Sequence, residues 1–278
     1  MNQQQNDPVK DALENAGLFS SILESIRNFN DLEIKNVLMG QLKTNDRENC
    51  ILAMYWRAVY NLEAILELKH VLRFQTISMS ARTILELAVD LCLVDKIPNP
   101  DPIRRILTHA RIEKLRAAKG AVDYEAKHQL NVPLDTTVYK RYIATQEVSI
   151  KEDAKILWPN LRMNKIDHWS GLNLADRVKI LGKPLEEVYQ LFYRLMSWHV
   201  HSGTATIIGV PKETYPHICA HGYWIAAITF EEVIKAVARE FKLSLAIPSF
   251  NAKLDLARFL PLTESDEQEM QIRSELGL

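Results

Sequence analysis

Between Arg47 and Leu72 the apolar residues Ile51, Tyr55, Ala58, Leu62, Ile65 and Leu68 recur with no glycine or proline among them. A return every three or four positions is the period of a helix with one buried face. The signature repeats over residues 76–96, TISMSARTILELAVDLCLVDK, which are mostly apolar and read as a central helix. It repeats again over 217–245, where Ile218, Tyr223, Ile225, Ile228, Phe230, Val233, Val237 and Phe241 are core candidates. Asp7 and Pro8 form an N-cap and first-turn proline for a further helix to about Asn28, with Leu13, Leu18, Phe19, Ile22, Leu23 and Ile26 as its stripe. Glycine is sparse, 9 in 278 residues, which disfavours a loop-rich sheet protein. The expected fold is all-α, a multi-helix bundle.

Punctuation sets the organisation. IPNPDP, residues 97–102, places three prolines in six positions and breaks the chain. A basic helix from about Asp101 to Lys119 follows, then a second helical piece to about Leu130 and a polar helix from Thr136 to about Ile156. Residues 101–157 therefore read as an inserted or projecting arm within a main domain spanning 47–247. Residues 1–46 read as an N-terminal helical cap, with a shorter helix at about 32–42, and 248–278 as a short helix and polar tail. Residues 158–184 carry two tryptophans and two glycines and read as an ordered loop, in which Asn173 caps a short helix through about Leu181.

Charge and cysteine usage narrow the function classes. Thirty-four basic and 35 acidic residues give a formal net charge of -1, so no global field draws the chain to nucleic acid or an anionic membrane. Cys50, Cys92 and Cys219 are far apart, lie in apolar helical patterns and form no C-x-x-C pair, which points to buried free thiols in a reducing compartment. No stretch reaches about 18 consecutive apolar residues and no signal peptide is apparent, so the expectation is a cytoplasmic protein with no membrane partner. Glu63, Glu67 and His70, and His217 with His221, are spaced like metal ligands, but the first group has no second copy in a comparable helix and the second no third ligand, so no metal or other cofactor is expected.

The chemistry-bearing residues gather in a few places. Tyr189–Thr204, YQLFYRLMSWHVHSGT, has apolar positions at Leu191, Leu195 and Trp198, with Phe192, Met196 and Val200 alongside. It reads as a buried helix delivering Arg194, Ser197, His199, His201 and Ser202 near its end. Arg82, Glu86 and Asp90 recur every four residues on one face of the central helix, either as a structural salt bridge or as an arginine that binds an anion and is oriented by Glu86. His168 and Trp169 lie off any periodic face, where they plug a bundle end or line a pocket. Ser197 has no G-x-S-x-G elbow and is a poor nucleophile.

Arg194 with His199 matches R-x4-H, and with His201 R-x6-H; both spacings resemble the helical HEPN nucleases of prokaryotic defence and toxin systems. That resemblance implies a metal-independent ribonuclease site shared by paired protomers, with arginine on the scissile phosphate and histidine moving a proton. A longer stretch, roughly 50–240, resembles the bacterial all-helical domain of unknown function 5677. The matching pieces are Arg82 with Glu86 in ARTILELAVDL, His168-Trp169-Ser170-Gly171, and Tyr193, Ser197 and His201 in YRLMSWHVHSG. It implies an all-helical fold and leaves the reaction open. Taken together, the resemblances place Arg82, Glu86, His168, Ser197 and His201 at one end of the bundle. There they bind an anionic small molecule or nucleotide, or lock the helices together. Two functions stand open: a ligand-binding or interaction module linked to defence, and a HEPN-like ribonuclease acting on RNA as a homo-oligomer through Arg194 and His201 or His199.

Overall fold

The computed structural model describes residues 8–40, 45–97, 101–128, 135–194, 196–197 and 210–244. All regular structure among them is helical. The helices are α1 (Pro8–Asn30), α2 (Asn36–Met39), α3 (Asp46–Glu67), α4 (Phe74–Leu93), α5 (Pro102–Lys127), α6 (Thr137–Leu157), α7 (Leu174–Leu181), α8 (Leu185–Val188) and α9 (Tyr215–Glu240). They divide into a first unit, Met1–Leu93 with Val178–Leu278, and a second, Val94–Arg177, inserted in sequence between those two segments.

The first unit is built around α9, which packs on α4, α1 and α3. Small residues on α9, among them Cys219, Ala220, Gly222, Ala226 and Ala227, are buried and let neighbouring backbones approach. The approach is tightest at Gly222, where an added Cβ would lie 2.7 Å from Cγ2 of Ile77 on α4. Tyr223 is buried beside it, and its hydroxyl donates to the Lys69 carbonyl at 2.6 Å, so the ring enters the core without an unmet polar group. From α3, Ile51, Tyr55, Ala58, Leu62 and Ile65 are buried. Each such large apolar side chain contributes on the order of 1.5–3 kcal/mol. Arg47 near the start of α3 grips the Glu240 carboxylate at the end of α9 with Nε at 2.8 Å and Nη2 at 2.9 Å.

Several sequence expectations change in the structure. In α1 the buried apolar positions are Ala12, Ala16, Ile22, Leu23 and Ile26, while Leu13 and Leu18 are half-buried. Small residues take the inward positions of its first turns. The first long helix ends at Glu67 rather than near Leu72, and His70 caps the following 3-10 turn, its Nδ1 accepting from the Leu72 N–H at 3.3 Å. The two helical pieces expected over 101–130 are one helix, α5, with Gly120 inside it in open space. The largest change falls at 189–204. Tyr189–Tyr193 is a π-helical turn, and Leu191 is 62% exposed while Met196 is buried. A π turn admits one extra residue, so the apolar positions before and after it no longer share one face. Leu195, Trp198 and Val200 lie outside the described residues.

In the second unit α5 and α6 form an antiparallel pair. Ile112, Leu115, Ile150, Ala154, Leu157, Trp158 and Ile166 make its core, with Tyr142, Ile143 and Met163 packed against it. The basic face of α5 is matched by acids of α6. Arg104 and Arg111 both reach Asp153, at 2.7 and 2.8 Å, and Lys119 reaches Glu147 at 2.6 Å. These pairs hold the Asp153 carboxyl below the usual carboxylate range, chiefly through the Arg104 hydrogen bond. The cations are thereby committed within the unit and not presented as a phosphate-binding stripe.

Candidate functional site

In the first unit, α4 and the π-helical turn bring together Arg82, Glu86 and Tyr193. Arg82 and Glu86 are one helical turn apart, and Arg82 Nε donates to Glu86 Oε1 at 2.9 Å. The Tyr193 hydroxyl donates to the same oxygen at 3.0 Å. The Arg82 guanidinium lies over the Tyr193 ring, 4.8 Å from its centroid, and the Tyr189 ring lies 4.9 Å from that of Tyr193. Burial, and then the Glu86 carboxylate, push the Tyr193 phenol up to about 12, so it remains a donor throughout the neutral range. Two donors thus fix one carboxylate oxygen, while Oε2 meets no hydrogen-bond donor among the described residues. With side chains 21% and 38% exposed, Arg82 and Glu86 are within reach of solvent.

Ser197 sits one turn beyond Tyr193, and its Oγ donates to the Tyr193 carbonyl at 2.8 Å. The hydroxyl proton is spent on the helix backbone, as is common for a mid-helix serine. Arg194 directly follows the π turn and is exposed. Nearby, the ring of Phe192 lies 5.1 Å from that of His221 and meets Trp224 edge-on at 4.9 Å. Among the described residues no three His, Cys, Asp or Glu side chains gather as metal ligands.

The second unit holds a separate polar cluster on the α5 face beneath the 158–177 segment. Arg177, 7% exposed, points Nη1 at His168 Nε2, 2.9 Å away. His168 Nδ1 lies 2.8 Å from Ser170 Oγ and 3.2 Å from the donating Ser170 N–H, so both ring nitrogens face a donor. Ser170 Oγ accepts from the Leu172 N–H at 3.2 Å. Gly171, at φ +74°, closes this turn; a Cβ there would lie 3.1 Å from Trp158 Cδ1. Trp158 Nε1 donates to the Trp169 carbonyl at 3.2 Å, and Arg105 donates to the carbonyls of Ser170 and Leu157 at 3.2 and 3.0 Å. The second of these caps the C-terminus of α6 with a cation.

Of the residues singled out from the sequence, Arg82, Glu86, Tyr193 and Ser197 are thus contiguous in the first unit. His168 and Trp169 belong to the second and are engaged there. His199, His201 and Ser202 lie outside the described residues. Sequence reasoning missed Tyr189, whose four-residue spacing to Tyr193 was its only signal. It also missed Arg105, His109 and Arg177. Arg105 and His109 were read with the solvated basic face of α5, and nothing local distinguishes them from Arg104 or Arg111.

Comparison with known proteins adds one relationship. No curated protein and no solved structure matches the chain significantly. A family of unknown function, DUF5677, matches residues 48–211, a span that contains the Arg82–Glu86–Tyr193 cluster and the whole second unit and covers more than half of the chain. The chain belongs to the DUF5677 family.

Proposed function

We propose that this protein is a ligand-binding module working in the cytoplasm, and that its site is the Arg82–Glu86–Tyr193 cluster. One observation carries the reading. Glu86 Oε1 is held by both Arg82 and Tyr193, so the carboxylate is fixed in orientation while Oε2, at a partly exposed position beside a π-helical turn, meets no donor among the described residues. Such turns occur often at functional sites. The chemistry fits a nucleotide. An exocyclic base amine donates to Oε2, the base stacks on the Tyr189–Tyr193 pair, and the anionic end is drawn to Arg82 and Arg194. Ser197, beside the cluster among the described residues, commits its hydroxyl proton to the backbone, which favours binding over reaction. Three buried free cysteines are in keeping with a reducing compartment.

The test is thermal unfolding of the full chain with the mono-, di- and triphosphates of adenosine and guanosine. At least one nucleotide is expected to raise the melting temperature in a saturable way, as any ligand selective for the native state does. Y193F, which keeps the ring and loses the donor, is expected to weaken binding about ten- to hundredfold, in line with one hydrogen bond to a charged group. No shift with any of the six overturns the assignment. A second reading rests on the exposure of Arg194 immediately after the cluster: the HEPN-like ribonuclease, built from paired protomers with His199 or His201. Metal-independent cleavage of a pool of end-labelled RNAs, abolished in folded R194A and in H199A or H201A, would put that reading in first place.

A further inference from the structure

Helix α6 has two faces, and the second unit uses one of them. Ile150, Ala154 and Leu157 are buried in the core that α6 shares with α5. On the other side Val138, Arg141, Thr145, Val148, Glu152 and Ile156 are all exposed. They follow one another at steps of three or four, so they form one stripe along the helix. Its apolar members stand well out of the surface, Val138 at 70%, Val148 at 68% and Ile156 at 61% exposure. Lone exposed apolar residues are ordinary, whereas an aligned set marks a surface with something to bury. Thr145 joins the stripe without needing an outside acceptor, since its Oγ1 donates to the Arg141 carbonyl at 2.9 Å.

The charges of α6 divide in the same way. Lys140 pairs with Glu125, Glu147 with Lys119 and Lys151, and Asp153 with Arg104 and Arg111. Arg141 and Glu152, both on the exposed stripe, meet no ion-pair partner among the described residues. They stand three turns apart, roughly 16 Å along the axis, and do not reach each other. The stripe nevertheless complements itself when reversed. Laid antiparallel on a second copy, it sets Arg141 opposite Glu152, Thr145 opposite Val148 and Val138 opposite Ile156, and each pairing occurs twice. Self-complementarity of this kind is what a two-fold interface requires.

We propose that the exposed face of α6 is a homodimer interface, in which α6 packs antiparallel on α6 of a second copy and Arg141 pairs with Glu152 of the partner subunit. Steps of three and four suit the shallow crossing of coiled-coil packing. The apolar residues supply the adhesion, and the two ion pairs fix register and direction. Lys155, exposed on the flank of the stripe, has a stem long enough to leave its ammonium in solvent. One helix from each protomer makes a small interface, so the dimer is reversible and not permanent. It stands whether or not the Arg82–Glu86–Tyr193 cluster takes a nucleotide.

Sedimentation equilibrium of the full chain, at protein concentrations up to about 1 mM, tests it. The wild type is expected to show a reversible monomer–dimer equilibrium. R141E and E152R each set like charges opposite one another twice, and each is expected to weaken dimerisation at least about tenfold. The double exchange R141E/E152R restores opposite signs and is expected to recover most of the wild-type affinity. The changes lie on exposed positions, and circular dichroism establishes that each variant is folded. A wild type that stays monomeric overturns the proposal and leaves the face to a different partner or to none. A dimer that neither single variant weakens overturns it in favour of a contact elsewhere on the chain. A double variant that dimerises no more tightly than the single ones overturns the antiparallel pairing of Arg141 with Glu152, and the proposal with it.

Discussion

Gly222 shows how much a single missing atom can set. In an isolated helix, alanine is favoured over glycine by about 1 kcal/mol. At position 222 the order reverses, because the new methyl would stand 2.7 Å from Cγ2 of Ile77. That atom is the branch methyl of a β-branched side chain in a helix, where χ1 has one strongly preferred rotamer, so it cannot swing aside. G222A is therefore expected to destabilise the first unit by about 1–3 kcal/mol, the usual range for overpacking a filled core. I77A alone opens a gap and also destabilises. The double variant G222A/I77A is expected to be more stable than the sum of the two losses predicts, with a favourable coupling of at least about 1 kcal/mol. Urea unfolding of the four proteins measures this, and strict additivity would mean that α4 and α9 do not touch at this point. The sequence hinted at the contact through the run of small residues Cys219, Ala220 and Gly222, but it held no sign of the partner 145 positions earlier.

Helix ends and irregular turns separate what periodicity can reveal from what it cannot. The cap at Asn173 was legible, because an Asx side chain before a periodic segment has one common use, and its Oδ1 accepts from the Asp176 N–H at 2.9 Å. The π turn at Tyr189–Tyr193 was not legible, since a one-residue insertion leaves composition unchanged and only rotates the residues beyond it. The end of α9 was also hidden, and for a different reason. Leu243 N–H bonds the Ala238 carbonyl at 2.9 Å and Lys242 N–H the Arg239 carbonyl at 3.3 Å, which is a Schellman ending. Its left-handed position is usually glycine, but here it is Lys242 at φ +53°. A β-carbon in that region costs about 1–2 kcal/mol, partly offset because glycine loses more entropy on folding. K242G is expected to raise stability by about 0.5–1 kcal/mol, read as a higher urea midpoint with an unchanged slope. K242A, which keeps the β-carbon and drops the charge, is expected to gain nothing. A gain in K242A equal to that in K242G would trace the effect to charge and dismiss backbone strain.

At the scale of the whole molecule, buried hydroxyls and a thiol tie the fold to pH. Tyr55, Tyr223 and Cys219 are essentially unexposed in the first-unit core, and Tyr193 is half-buried. Their placement on helical faces was readable from the apolar stripes, whereas the acceptors that hold their protons, Asn30 Oδ1 at 2.8 Å and the Lys69 carbonyl at 2.6 Å, come from distant segments. Burial pushes the Tyr193 phenol and the Cys219 thiol each up to about 12, and raises Tyr55 and Tyr223 above the ordinary phenol value as well. All four shifts favour the protonated form in the folded state. The unfolded chain releases these protons at ordinary values, about 9 for the thiol and about 10 for the phenols, while the folded chain retains them. In that interval the unfolded state binds fewer protons, so stability must fall as pH rises. Their contribution is complete below about pH 9 and is withdrawn progressively as pH climbs through about 12. The expected result is an unfolding midpoint in urea that declines between about pH 9 and pH 11, with phenolate absorbance from these tyrosines appearing only together with loss of helical signal. C219A is expected to remove the earliest part of the decline, because its thiol has the lowest unfolded value of the four. A midpoint that stays level to about pH 11 would show that these groups ionise inside the intact fold, and would contradict the dry core that α9 builds with α1, α3 and α4.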